Sequence, residues 1–120
     1  MEFDKPIKII FLPQAEDFVD KLDKKSKAKL FTSIRKVKER IFGQWFTKLK
    51  GSNGLYEFRF DESNKFYRIF AFWDTEEETE TLIVSTHGIE KKTNKTPSKD
   101  IQKAERLKRE YFEEKEQDKK

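Results

Sequence analysis

FYRIFAFW, residues 66–73, is the stretch that decides the fold of this 120-residue chain. Aromatic and β-branched residues occupy both parities, so an extended strand here would be apolar on both faces, as at the centre of a covered sheet. Arg68 is its one charge. A guanidinium in such a strand must be paired with an acid or must face a place where an anion arrives, because an uncompensated buried charge costs several kcal/mol.

Working outward, LYEFRF at 55–60 and TLIVSTH at 81–87 share that composition and are set off by DESNK and DTEEETE. Three antiparallel strands in a meander are expected. FTKL at 46–49 adds a short strand or an approach segment, and the GSNG cluster at 51–54 is a turn. On the N-terminal side, IKIIFL at 7–12 reads as a buried strand stopped by Pro13, which opens a helix lined by Ala15, Phe18, Val19 and Leu22. Asp23 is a suitable cap for a second helix, in which Leu30, Ile34, Val37 and Ile41 recur at helical spacing and Gly43 marks the end. These two helices should form a hairpin whose shared apolar face needs a sheet to cover it. Thr96 and Pro97 then start a third, with Ile101, Ala104, Leu107 and Tyr111 on one face. The expectation is one α+β domain over residues 1–112, of order β-α-α-β-β-β-α. EEKEQDKK at 113–120 has no apolar residue to dock it and is expected to fray.

Composition narrows the function. The chain is 42% charged and 34% hydrophobic, which would suggest disorder were the aromatics, 12 Phe among them, not gathered into the periodic segments. Without Cys there is no disulfide or thiolate metal site, and a single His excludes a multi-histidine one. No metal or cofactor is expected. The apolar run at the start is too short for a bilayer and follows acids, unlike a signal peptide, so the cytoplasm is the expected location and no membrane is expected as a partner. A net charge of +4 leans towards a polyanion, and its distribution says more. KKTNKTPSK at 91–99 holds four Lys and no acid, while Asp74, Glu76, Glu77, Glu78 and Glu80 crowd one loop.

Alternation puts Leu55, Glu57 and Arg59 on one face of their strand and Tyr56, Phe58 and Phe60 on the other. If the turn is Ser63-Asn64 alone, Arg59 lies opposite Arg68, and two facing cations want an anion between them. A four-residue turn instead sets Glu57 opposite Arg68 as an ordinary ion pair. If Trp73 faces Leu82, Arg68 faces His87. Lys48 and Lys50 lead into this face and Lys91, Lys92 and Lys95 follow it, giving a phosphate cradle. In RNA cleavage without metal, a base takes the 2′-hydroxyl proton, cations stabilise the phosphorane, and an acid protonates the leaving oxygen. Arg59 and Arg68 suit the middle task. His87 suits acid or base work, and Lys50 could share it. The lysines of 24–38 read more simply as the wet face of a helix, and Trp45 and Trp73 as core.

Leu49-Lys50-Gly51, Gly54-Leu55-Tyr56-Glu57 with Arg59, Tyr67-Arg68-Ile69-Phe70, His87-Gly88, Lys91-Lys92-Thr93, Lys95-Thr96-Pro97, Ile101, Ala104, Arg106 and Tyr111 together resemble the RelE/HigB superfamily of toxins from type II toxin-antitoxin systems, in particular its phage-derived branch. The resemblance implies two N-terminal helices on a curved antiparallel sheet and an endoribonuclease that cuts mRNA in the ribosomal A site to inhibit translation. It also implies a cognate antitoxin, usually a helix-turn-helix protein encoded alongside. By position the family's basic residues fall on Lys50, Arg59 and Arg68, with residues 87–92 as the other wall. Many relatives place a tyrosine near the last strand; none of Tyr56, Tyr67 and Tyr111 falls there, and His87 is its expected substitute. Fold does not fix function, so a ParE-like inhibitor of DNA gyrase and an inactive RNA-binding regulator are the alternatives.

Overall fold

The computed structural model describes residues 6–76, 80–85, 89–91 and 98–118, with 89–91 described by their backbone. β1 (Ile7–Phe11) leads into α1 (Pro13–Asp20), whose first turn holds Pro13, where the missing N–H leaves nothing unsatisfied. α2 (Lys24–Lys38) starts at Asp23 as expected: its carboxylate accepts the Ser26 N–H at 2.7 Å and the Ser26 hydroxyl at 3.1 Å. Its end differs. The Ile41 N–H bonds the Lys36 carbonyl and the Arg40 N–H bonds that of Val37, both at 2.8 Å, with Arg40 left-handed at φ 62°. That is a Schellman cap with arginine where glycine is usual, and it turns Ile41 off the helix face. Ile41 and Phe42 are about half exposed instead of continuing the apolar stripe.

Five strands follow: β2 (Phe46–Lys48), β3 (Leu55–Glu62), β4 (Lys65–Asp74), β5 (Glu80–Val84) and β6 (Ile89–Lys91). The order across the sheet is β1-β5-β4-β3-β2, and β6 pairs with β4 beyond the end of β5. FYRIFAFW is central, as its two apolar faces require. The expected wholly antiparallel sheet is corrected at one edge: β1 lies parallel to β5. A parallel neighbour needs a long crossover, and both helices and three strands lie between these two in the chain.

Ser63 and Asn64 both have positive φ, 52° and 67°, as a two-residue primed hairpin loop demands. This sets Arg59 opposite Arg68, the first of the two registers considered above. One face of the sheet, with Phe58, Phe60, Tyr67, Ile69, Leu82 and Val84, packs on Ala15 and Val19 of α1 and Leu30, Ile34 and Val37 of α2. The other, with Leu55, Phe70, Phe72 and Ile83, packs on Ala104, Ile101, Tyr111 and Phe112 of α3 (Ser98–Asp118). α3 corrects the expected fraying after Phe112. It continues to Asp118 because the polar tail docks through charge: the Lys115 ammonium lies 2.6 Å from Asp74 and 3.2 Å from Glu76. No described helix is long and apolar enough to cross a membrane.

Candidate functional site

Glu57, Arg59 and Arg68 share the α3 face of the sheet by strand alternation, but they lie further along it than the apolar patch that α3 covers. Arg68 is 1% exposed. Its Nη1 donates to the Tyr67 carbonyl at 2.7 Å and lies 3.7 Å from an Asp61 carboxylate oxygen, while its Nε lies 3.9 Å from Glu57. Arg59 reaches the same Glu57 oxygen at 3.6 Å. Two guanidinium groups therefore flank one buried carboxylate, with Asp61 as a second acid at the rim. Burial, and then repulsion from Arg59, lower the Arg68 pKa from its ordinary value, against the pull of Glu57 and Asp61. An arginine that starts so high remains a cation at neutral pH.

Gln44, Trp45, Arg59, Asp61 and Arg68 line a cleft of about 400 Å³. Glu57 is 5% exposed at its side chain and fixed, whereas the Asp61 side chain is 61% exposed. The exposed acid is the one an incoming anion can displace, since a solvated ion pair contributes at most about 1 kcal/mol. Chemically, the cleft can present the Arg59 fork to a tetrahedral anion, and the Arg68 fork as well once the exposed Asp61 carboxylate gives way.

The other expected site residues separate. Lys48 pairs with Tyr56 in the register, so it projects on the face opposite to Arg59 and Arg68. Lys50 lies in the turn after β2, beyond the Leu49–Leu55 hydrogen bond, and Leu55 is four residues of strand from Arg59, roughly 13 Å. Neither lysine joins the site. The expected Arg68–His87 pairing is corrected too. Trp73 does face Leu82, but β5 ends at Val84, Ser85 bonds the Phe70 carbonyl, and the chain rejoins β4 with Ile89 opposite Arg68. His87, Lys92 and Lys95 lie outside the described residues, as does the Lys91 side chain; the Lys91 backbone pairs with Phe66.

The sequence reading missed a second wall. A cleft of about 480 Å³ shares Trp45, Arg59 and Asp61 with the first and runs along Lys29, Thr32, Ser33 and Lys36 of α2. The signal was present: positions 29, 32, 33 and 36 form one helical stripe beside the apolar stripe of 30, 34 and 37. Only the packing angle of α2 on the sheet tells which flank of that apolar stripe meets β3.

The model of a family described as phage derived protein Gp49-like (DUF891) matches residues 17–109, from α1 into α3. No curated protein and no solved structure matches. The chain belongs to the Gp49-like family.

Proposed function

We propose that this Gp49-like chain is the toxin of a toxin-antitoxin pair, an endoribonuclease of RelE/HigB type that cuts mRNA on the ribosome and so stops translation. The observation that carries this reading is the facing pair Arg59 and Arg68 on adjacent strands, opening into one cleft. Such a pair suits the crowded, doubly charged phosphorane of RNA cleavage better than it suits any single internal acid. A phosphate would take the place of the exposed Asp61 carboxylate, while buried Glu57 keeps the two forks aligned. The 2′-oxygen attacks phosphorus once a base removes its proton, and the 5′-oxygen departs with a proton from an acid. His87 is assigned one of those transfers, because its ordinary pKa lies close to neutral. Lys91, Lys92 and Lys95 are assigned phosphates either side of the cut. The partner is a cognate antitoxin, a small helix-turn-helix protein encoded alongside, and the setting is the cytoplasm.

One observation favours a second reading. Glu57 and Asp61 already balance the two arginines, which suits a ParE-like gyrase inhibitor that grips a protein and performs no cleavage. Primer extension on cellular mRNA after induction separates the two. New cuts within codons, lost at least a hundredfold in Arg59→Ala, are expected. Intact mRNA with induction of the DNA-damage response would overturn the nuclease.

A further inference from the structure

We propose that the groove between α2 and the Trp45–Arg59 edge of the sheet binds single-stranded RNA beside the scissile phosphate, with Trp45 stacking a base and Lys29 and Lys36 holding phosphates. The inference rests on the nuclease reading above and names where its substrate strand runs. Three features of the groove support it. First, it is continuous with the arginine cleft through Trp45, Arg59 and Asp61, so a polyanion seated there leads directly to the paired guanidinium groups. Second, Lys29 and Lys36 are both exposed, on one stripe of α2 and two turns apart, roughly 10 Å, which is room for more than one nucleotide. Lys29 is shared with Glu62 at 3.3 Å and with the Asp61 carbonyl, a wet pairing that a phosphate can replace.

Third, Trp45 is held at the rim as a plate. Its carbonyl accepts the Arg59 N–H at 2.9 Å, and the Phe46 N–H bonds the Gly43 carbonyl at 3.0 Å. Gly43 is what lets the indole sit so close, because a Cβ there would stand 2.8 Å from the indole nitrogen. The Lys36 ammonium lies over the indole, 5.2 Å from the ring centroid, a solvated contact that an incoming base displaces as the ammonium moves to a phosphate. A half-buried indole flanked by cations, at the mouth of an anion site, is the arrangement by which proteins hold unpaired bases without reading their sequence. An acidic protein segment would use the lysines but not the plate.

The test is binding of a fluorescent 2′-O-methyl RNA hexamer, which lacks the attacking hydroxyl and so reports binding apart from cleavage. For the full chain, Trp45→Ala should weaken binding about tenfold and Trp45→Phe much less, as loss of one stacked base predicts. Lys36→Glu, on the exposed face of α2, should weaken binding and flatten its salt dependence by about one phosphate contact. Hexamer affinity unchanged in Trp45→Ala and Lys36→Glu, or no hexamer binding by the wild type, would overturn the groove. Unchanged hexamer binding in these variants alongside intact mRNA cutting removes the groove and leaves the nuclease. Hexamer binding that the variants lose, in a protein that cuts no mRNA, keeps the groove and removes the nuclease.

Discussion

β4 carries two buried charges of opposite sign on the same face, six residues apart, and the fold treats them differently. Asp74, 3% exposed, is sealed: the Tyr111 hydroxyl donates at 2.7 Å, Lys115 at 2.6 Å and the Glu76 N–H at 3.1 Å. Burial opposes its ionisation, yet these hydrogen bonds prevail and hold the carboxyl below its ordinary pKa. Tyr111, half-buried beside that carboxylate, is pushed up to about 12 by desolvation and by Asp74, and Lys115 is also raised by Asp74 and Glu76 against its desolvation. Arg68, 1% exposed, donates to the Tyr67 carbonyl at 2.7 Å, stands 3.7 and 3.9 Å from carboxylate oxygens of Asp61 and Glu57, and borders a cleft. A buried charge answered at hydrogen-bond length by three donors is a fastening. One whose acids include an exposed carboxylate, at the edge of a cavity and beside a like charge, can exchange that acid for another anion.

The largest test of this contrast is Arg68→Ala. It should abolish mRNA cleavage and also destabilise the fold by about 3 kcal/mol, because Glu57 is left buried with Arg59 as its remaining arginine. Urea unfolding measures the second effect, and Arg68→Lys, which keeps the charge but loses the fork, should retain most stability and little cleavage. Asp74→Asn should destabilise by about 2 kcal/mol while the folded fraction cuts at the wild-type rate. Loss of cutting per folded molecule there would erase the distinction between the two ends of β4. Tyr111→Phe, which removes one hydrogen bond to a charged acceptor, should cost about 1.5 kcal/mol in the same assay.

pH sharpens the comparison further. Because Asp74 is depressed from 3.8, its contribution is full above about pH 4 and is lost as pH falls through the folded value. Tyr111, raised from 10.0 to about 12, contributes fully below pH 10 and loses that contribution as pH rises towards 12. Thermal melts across pH should show both limbs, with the acid limb shallower in Asp74→Asn. The smallest effect is expected at the open end: Asp61→Asn should tighten RNA-hexamer binding by up to about fivefold, since an exposed competitor of the phosphate is removed.

Much of this was legible in the residues. Apolar faces of period two and period 3.6 determined the helices, the strands and the central place of FYRIFAFW, because burial of one face is a local demand written every second or every third and fourth residue. The Asp23 cap and the Ser63-Asn64 loop are likewise local chemistry, and the loop alone brought Arg59 to Arg68. Arg40 was not legible, because a left-handed cap filled by arginine lacks the glycine that signals it. Nor was Lys115, whose partner stands 41 residues away in sequence.

By itself, then, the sequence determined the α+β class and most of the order of elements and narrowed the residue facing Arg68 to Arg59 or Glu57, all of which follow from neighbours along the chain or across one tight turn. The structure chose the Arg59–Arg68 register and decided what surrounds the two arginines. It placed Lys48 on the opposite face and Lys50 in the turn beyond the far end of β3, put Ile89 opposite Arg68, ran β1 parallel to β5, and laid the lysine stripe of α2 beside Trp45. Each of these depends on how rigid elements distant in sequence stack, and a periodic pattern shows which face of an element is buried but carries no record of what it is buried against.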